Sequence, residues 1–330
     1  MAERKILLVG CGAMGGILAA SLASACKLTA YDANEEHVRA IRTDGLRILG
    51  SGATTARVDA VSDARELAGL TFDAILFLTK SNATGGALAQ LRPALANRPL
   101  LVTLQNGMGN SEVLLAVADA PVARGVTMHA GRYVGPGCIE HLISGDTWLG
   151  PLRGEVEDIR WFGALLDAAG IRTQVIADPM PAVWSKFVFN SVMSPVGALL
   201  LGDNAARFES AQVCALIDEM ADECTRTVAA LGGSFAFDPM EFVKKMRAGE
   251  LPMSRHAGSM ALDIARGAPT EIDELTGYVV AQAERLGIAV PACKTVYRLV
   301  KGLELAAARA RGNAGAGAVS PAEPRAGATH

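Results

Sequence analysis

The sequence lacks the features that mark several protein classes. Its six cysteines are scattered and form no C-x-x-C pair, so neither a zinc centre nor a disulfide framework is indicated. The formal net charge is −3, so the sequence has no excess of basic residues of the kind found in nucleic-acid-binding proteins. No secretory signal precedes the first apolar segment, and no apolar run is long enough to span a bilayer. We therefore expect a cytoplasmic protein without a metal centre, a nucleic-acid partner or a membrane association.

The residues that are present indicate two domains. Half of the 330 residues are hydrophobic, which is enough for a large core. Strand and helix patterns alternate up to residue 178, and the apolar segments 72–79 and 100–104 are typical of parallel strands buried on both faces. The other predicted strands are 27–32, 46–49, 56–61, 122–130, 137–143, 147–149 and 173–176, and the predicted helices are 35–42, 84–96, 110–117 (capped by Asn110) and 155–169. This alternation predicts a doubly wound α/β domain with a parallel sheet.

Beyond residue 178 the strand patterns stop. Pro179 and Pro181 break regular structure and suit a domain boundary. Predicted helices follow at 182–201, 209–231, 240–246, 257–266, 272–286 and 293–309. From residue 312 the chain is rich in Gly, Ala, Ser and Pro, which predicts a flexible tail. The expected domains are therefore 1–178 (α/β), 179–311 (helical) and the tail, 312–330.

The most informative stretch is the glycine cluster after the first apolar run. Gly10, Gly12 and Gly15 have the G-x-G-x-x-G spacing of a dinucleotide-binding turn between a strand and a helix. In that motif the first glycine permits the turn, the second lets a pyrophosphate approach, and the third lets the helix pack closely. The helix start then offers free N–H groups to phosphates. The alternative is a glycine-rich turn without a ligand.

A carboxylate about 20 residues further on completes this motif. Asp32 ends the second predicted strand, where it could accept hydrogen bonds from the ribose hydroxyls of NAD and repel the extra phosphate of NADP. NADH is therefore the expected cofactor. Asp32 could also cap the following helix. Arg39 and Arg42 on that helix could compensate its charge if they turned toward the ribose.

Two further polar sites follow predicted strands, at the sheet edge where ligands bind in α/β folds. Lys80 could reach the cofactor phosphates or ribose, or be a solvated loop lysine. Asn106 could contact a ligand beside the glycine turn, although Asn106-Gly107 is also a plain turn signal.

The second domain carries polar residues on apolar helices. Lys186, Asn190 and Ser194 are spaced i, i+4, i+8 on one face of a helix whose other faces are apolar. This polar line faces either a cleft or solvent. A second polar group follows later in the domain, formed by Ser259, Asp263, Arg266, Glu271 and Asp273.

Taken together, these motifs resemble those of the ketopantoate reductase (2-dehydropantoate 2-reductase) family, over about residues 5 to 305. The resemblance rests on the segment 10–15, Lys80, the segment 105–107, the segment 125–130, the segment 184–186 with Asn190, Ser259 with Asp263, and the segment 270–273. It implies a Rossmann domain joined to a helical domain, with the active site between them. It also implies reduction of a small 2-keto acid by NAD(P)H, with NADPH the cofactor typical of the family.

The resemblance also implies roles for individual residues. Lys186 matches the lysine that donates a proton to the substrate carbonyl oxygen, and Glu271 the carboxylate that orients substrate and lysine. Asn106 matches the asparagine that touches nicotinamide and substrate. The substrate-binding residues implied are Asn190, Ser194, Asn204, His256 and Ser259; the cofactor-binding residues expected are Gly10, Cys11, Gly12, Ala13, Met14, Gly15, Asp32, Lys80, Asn106, Ala130 and Glu271.

The sequence departs from the family at the substrate positions. Ser194 and His256 stand where better-known members carry asparagines, so a different 2-keto or hydroxy acid is the alternative substrate. A dinucleotide-binding sensor without catalysis is a second alternative, which a lysine and a carboxylate matching the catalytic pair disfavour. The sequence leaves the oligomeric state open, with a homodimer among the options.

Overall fold

The structure, a computed structural model, describes residues 3–117, 119–201, 205–251 and 257–316. The strands are β1 (Lys5–Val9), β2 (Lys27–Tyr31), β3 (Leu46–Gly50), β4 (Thr54–Ala56), β5 (Asp59–Val61), β6 (Ala74–Phe77), β7 (Leu100–Thr103), β8 (Val122–Thr127), β9 (Ala130–Gly135), β10 (Cys138–Ile143), β11 (Thr147–Arg153) and β12 (Thr173–Val175). The helices are α1 (Ala13–Leu22), α2 (Glu35–Asp44), α3 (Thr84–Gln90), α4 (Asn110–Leu115), α5 (Val156–Ala168), α6 (Met180–Leu199), α7 (Ala206–Glu209), α8 (Ala211–Ala230), α9 (Glu241–Arg247), α10 (Ser259–Ala265), α11 (Tyr278–Leu286) and α12 (Pro291–Ala316).

The first domain is built on an eight-stranded sheet. Its order is β12-β11-β8-β7-β6-β1-β2-β5, with β1 near the centre. Alternate residues of β1 enter two separate cores: Ile6 and Leu8 pack on one face of the sheet, Leu7 and Val9 on the other. Both faces are thus covered, as the apolar runs predicted. The sheet is not wholly parallel, however, because β11 pairs with β8 in the antiparallel direction.

A second sheet, which the sequence patterns did not reveal, lies against α1. Its order is β4-β3-β10-β9, and β10 pairs in parallel with β3. Two predicted strands are divided between the sheets. The segment 56–61 contains the end of β4 and all of β5, and the segment 122–130 contains β8 and the start of β9. Each break moves the chain from one sheet to the other.

The second domain begins at α6, and its described residues form helices without strands. Helix α6 runs through an apolar core in which Trp184, Phe187 and Tyr278 have ring centroids 5.5 to 6.4 Å apart. Helix α12 continues to Ala316, past residue 312, where the tail was predicted to begin. None of the described helices combines the length and apolarity needed to cross a bilayer.

A π-helical turn, Asp273–Gly277, connects Glu271 to α11. It is fixed to α6 at a proline. Pro195 has no N–H to bond the carbonyl of Ser191 four residues earlier, and that carbonyl accepts a hydrogen bond from Thr276 Oγ1 at 2.6 Å. The π-helical turn therefore supplies the hydrogen-bond donor that Pro195 cannot give to the Ser191 carbonyl.

Candidate active site

The glycine turn has little room for side chains on its inner side and free space outside. Gly10 has φ of +91°, and a Cβ there would lie 2.7 Å from the Thr79 nitrogen. A Cβ on Gly15 would lie 1.8 Å from the Gly10 oxygen. Gly12 is the N-cap of α1, has no side-chain capping bond, and a Cβ there would meet nothing within 4 Å. The helix start thus offers uncapped N–H groups beside open space, which fits a pyrophosphate.

Asp32 lies against this glycine turn. Its Oδ2 accepts a hydrogen bond from the Cys11 N–H at 2.7 Å, and its Oδ1 accepts one from the Asn34 N–H at 2.9 Å. The N-cap of α2 is Asn34, whose side chain accepts from the His37 N–H at 3.1 Å. The alternative role of Asp32 as the helix cap was therefore wrong. A carboxylate has about four acceptor positions, so Asp32 keeps capacity for a ligand.

Lys80, after β6, is paired across the two domains rather than free in a loop. Its Nζ lies 2.6 Å from Asp263 Oδ2 on α10. Burial acts to lower the pKa of Lys80, but Glu271 and Asp263 outweigh it and raise the pKa. The neighbouring Ser81 hydroxyl donates to Glu271 Oε1 at 3.2 Å. The loop after β6 therefore contacts the helical domain at two carboxylates.

The segment after β7 crosses from the sheet to the helical domain. Asn106 Oδ1 accepts a hydrogen bond from Asn190 Nδ2 at 3.2 Å. Gly107 has φ of +75°, and a Cβ there would lie 2.8 Å from Glu274 Cβ. The Met108 N–H donates to the Glu274 carbonyl at 3.0 Å. This segment, residues 106–108, is called the Asn106 turn below.

Asn110 holds the Asn106 turn instead of capping a helix. Gly109 occupies the N-cap position of α4, and Asn110 is the first helical residue, so the predicted cap was wrong. Asn110 Nδ2 donates to the Asn106 carbonyl at 2.9 Å and to Ser81 Oγ at 3.0 Å. It thus joins the two loops that reach the helical domain.

The polar line of α6 faces the first domain, so the solvent-face alternative was wrong. Lys186 Nζ donates to the Thr127 carbonyl at the end of β8, and Asn190 reaches Asn106. Burial lowers the pKa of Lys186 from 10.5 to about 8, and the nearby Glu271 carboxylate opposes this change. The Lys186 ammonium is therefore a stronger acid than that of an ordinary lysine.

Three more of the predicted residues lie on α6, α10 and β9, and two lie outside the described residues. Ser194 is half-buried one turn beyond Asn190, exposed Ser259 begins α10, and half-buried Ala130 begins β9. Helix α10 packs directly on α6. Asn204 and His256, two of the predicted substrate residues, lie outside the described residues.

The later polar group divides between the cleft and the helical domain. Arg266 crosses to the first domain, where Nη2 donates to the Tyr133 carbonyl at 2.7 Å. Asp273 stays within the helical domain, where it pairs with Lys301 at 2.8 Å and accepts from the Tyr297 hydroxyl at 2.8 Å. Arg266 and Asp263 therefore border the cleft, and Asp273 does not.

Sequence reasoning missed Arg124, which lies within β8 directly beside the Asn106 turn. Its Nη2 donates to the Gly107 carbonyl at 2.7 Å, and its Nη1 donates to Ser111 Oγ at 2.5 Å. Burial lowers its pKa from 12.5 to about 10. The available signal was one arginine inside an otherwise uncharged strand, which marks a charge that must be buried.

The site therefore combines the uncapped start of α1 at the glycine turn with four side chains. These are the Lys186 ammonium, whose pKa is lowered, the Glu271 carboxylate, and the amides of Asn106 and Asn190. The ammonium can donate a proton to an oxygen that gains negative charge. Fold and site together define a Rossmann-type oxidoreductase with an added helical domain.

Comparisons with known proteins identify the family. A family model described as "Ketopantoate reductase PanE/ApbA" matches residues 6–154, and its C-terminal counterpart matches residues 178–304. The 2-dehydropantoate 2-reductase of Halobacterium salinarum is 30% identical, over 90% of this chain and 98% of that protein. The Pyrococcus horikoshii enzyme of the same name is 28% identical, over 91% and 97%. The chain belongs to the ketopantoate reductase family.

Solved structures agree with this assignment. The ketopantoate reductase from Ralstonia eutropha superposes with a TM-score of 0.82 at 29% identity, over 92% of this chain and 99% of that one. D-mandelate dehydrogenase with NADH and anilino(oxo)acetate has a TM-score of 0.84 at 21% identity, with the same coverage, and shares the fold. The predicted fold class and enzyme class are confirmed: the protein is an oxidoreductase of a family that uses a nicotinamide dinucleotide.

Proposed function

We propose that this protein reduces the 2-keto group of 2-dehydropantoate with Lys186 as the proton donor. The observation that carries the proposal is the position of Lys186, which donates to the Thr127 carbonyl and has a pKa lowered to about 8 while the Glu271 carboxylate acts on its charge. A pKa near the working pH is what a general acid needs. The relatives named 2-dehydropantoate 2-reductase support this substrate.

The residues of the chain then have distinct tasks. The N–H groups at the start of α1 hold the pyrophosphate of the dinucleotide, which supplies a hydride to the substrate carbonyl carbon when bound. Lys186 stabilises the growing charge on the carbonyl oxygen and gives it a proton. Glu271 favours the charged form of Lys186 and so keeps it protonated. Asn106 and Asn190, already hydrogen-bonded to each other, orient the substrate beside the lysine.

The test of this role is Lys186→Ala. We expect a loss of turnover on the order of 10²–10⁴-fold, the usual contribution of a general acid, with little change in dinucleotide affinity. Lys294→Ala is the matched control, because Lys294 is a half-exposed lysine paired with Glu284 on a helix outside the cleft. Near wild-type turnover in Lys186→Ala would refute the assignment of Lys186 as the proton donor. A panel of 2-keto acids, assayed with the wild type, separates 2-dehydropantoate from the alternative substrates.

We also propose a preference for NADH over NADPH. Asp32 places its charge at the glycine turn, where the 2′-phosphate of NADPH would be repelled. Arg42 does not compensate, because its Nε donates to the Ala60 carbonyl and its Nη2 pairs with Glu66, both at 2.5 Å. The guanidinium of Arg42 is therefore engaged away from Asp32.

The variant Asp32→Asn tests the cofactor preference. We expect kcat/KM of the wild type to favour NADH and the variant to gain on NADPH, about tenfold for each 1.4 kcal/mol of repulsion removed. A wild type that clearly favours NADPH would contradict the proposal.

The expected cytoplasmic location and the expected homodimer stay predictions. Light scattering on the purified chain tests whether it forms a homodimer.

A further inference from the structure

We infer that Arg124 is a positioning residue for the reaction: its guanidinium fixes the Asn106 turn and thereby places the Asn106 amide against Asn190 in the site. The inference rests on the proposed function, because it gives Asn106 a role in orienting the reactants. Arg124 touches neither of the two amides itself and acts through the backbone of Gly107.

Arg124 is buried in the protein core. Its side chain is only 2% exposed, and it is the largest fully buried side chain among the described residues. Within that part of the chain no carboxylate is paired with it directly. Glu112, whose Oε2 accepts a hydrogen bond from Ser111 Oγ at 3.2 Å, favours its charge from further away, and its Nε has no hydrogen-bond partner. A buried guanidinium without a directly paired carboxylate is costly, and an apolar residue of similar volume would fit a strand core better. The contacts it makes must therefore account for it.

The contacts of Arg124 join two segments of the chain. The two Nη atoms reach the Gly107 carbonyl and the Ser111 hydroxyl, which lie on either side of the left-handed residue Gly109. The guanidinium thus spans the whole connection from the Asn106 turn to the first turn of α4. A planar fork with fixed donor geometry suits this task better than a lysine.

Arg124 adds a third contact to the two that otherwise hold the Asn106 turn. Gly107 has positive φ and no space for a side chain beside Glu274, so no side chain at this position can anchor it. The Asn110 amide holds the Asn106 carbonyl from one end, and the Met108 N–H holds Glu274 from the other. Arg124 binds the carbonyl between these two points.

The expected consequence is a kinetic effect. Asn106 and Asn190 are joined by a single bond of 3.2 Å, so a shift of about 1 Å in the turn would break it. Misplacement of that size can cost on the order of 10²-fold in rate. We therefore expect Arg124→Met to lower kcat by about 10 to 100-fold and to leave the affinity for the dinucleotide nearly unchanged.

Two comparison variants separate positioning from general stability. Arg124→Lys keeps the charge and one donor direction, and we expect it to recover part of the lost kcat. Arg153→Met is the matched control, because Arg153, like Arg124, is an arginine that donates to backbone carbonyls. Its three acceptors, the carbonyls of Leu115, Val117 and Ala120, lie away from the Asn106 turn. We expect Arg153→Met to lower the melting temperature while kcat stays near wild type.

A double-mutant cycle with Asn106→Ala decides the question. If Arg124 acts through Asn106, then Arg124→Met in the Asn106→Ala background should change kcat by no more than about twofold. Losses that multiply would overturn the inference, as would a wild-type kcat in Arg124→Met. A wild-type kcat in Asn106→Ala would instead refute the proposed role of Asn106. If Arg124→Met does not fold, the same cycle is run with Arg124→Lys and carries the same criteria.

Discussion

The lowered pKa of Lys186 predicts how reduction depends on pH. The ordinary lysine pKa of 10.5 falls to about 8 through burial, a difference that corresponds to about 3 kcal/mol against the charged form. Only the protonated lysine can act as the acid. The rate of reduction should therefore be highest below pH 8 and fall as the pH rises through this value.

The size of the fall in the rate of reduction follows from the pKa of Lys186. One pH unit above a pKa of about 8, roughly a tenth of the lysine remains protonated, so kcat/KM for reduction at pH 9 should be about tenfold below its plateau. An ordinary lysine would show no fall before about pH 10. The assay is the loss of reduced dinucleotide absorbance at limiting substrate, across pH 6 to about 10.

Substitution of Glu271 tests whether the fall in rate reports the pKa of Lys186. Because its carboxylate raises the pKa of Lys186, Glu271→Gln should move the fall in rate to lower pH. Asp273→Asn removes the same charge two residues away, from a carboxylate that pairs with Lys301, and should leave the position of the fall unchanged. A wild-type profile flat to pH 10, or a Glu271→Gln profile displaced to higher pH, would refute the reasoning.

Two glycine substitutions test other parts of the site. In Gly12→Val the side chain enters open space rather than the protein, so dinucleotide affinity should disappear while the melting temperature stays near wild type, and retained affinity in a fluorescence titration would contradict a pyrophosphate site here. In Gly107→Ala the new methyl group meets Glu274 in a backbone conformation that L-residues avoid, so both kcat and thermal stability should fall. An unchanged melting curve would argue against the close packing of the Asn106 turn on Glu274.

Local signals let the sequence predict the elements around the cofactor and the face of α6. The glycine spacing, the apolar runs of β6 and β7, and the spacing of Lys186 and Asn190 each lie within about ten residues. Their consequences depend on backbone geometry that neighbouring residues determine. For the same reason the helical nature of the second domain followed from its apolar periodicity.

Contacts between distant residues had no local signal. The second sheet depends on β10 pairing with β3, about 90 residues away in sequence, and short exposed strands leave a weak pattern. Asn110 precedes a helical pattern and so resembled a cap, but its side chain found a partner in the Asn106 carbonyl. The pairing of Lys80 with Asp263 was not predicted, because Asp263 lies 183 residues further along the chain.

The π-helical turn at Asp273–Gly277 has a consequence for how this protein can change in evolution. A π turn holds one residue more than an α turn of the same height, so deleting a single residue there would regularise the helix. The deletion would also withdraw the Glu274 carbonyl from Met108 and Thr276 from Ser191, two bonds that fix this turn to the first domain and to α6. Insertions and deletions that arise as this protein evolves should therefore accumulate in surface loops and be selected against in this turn.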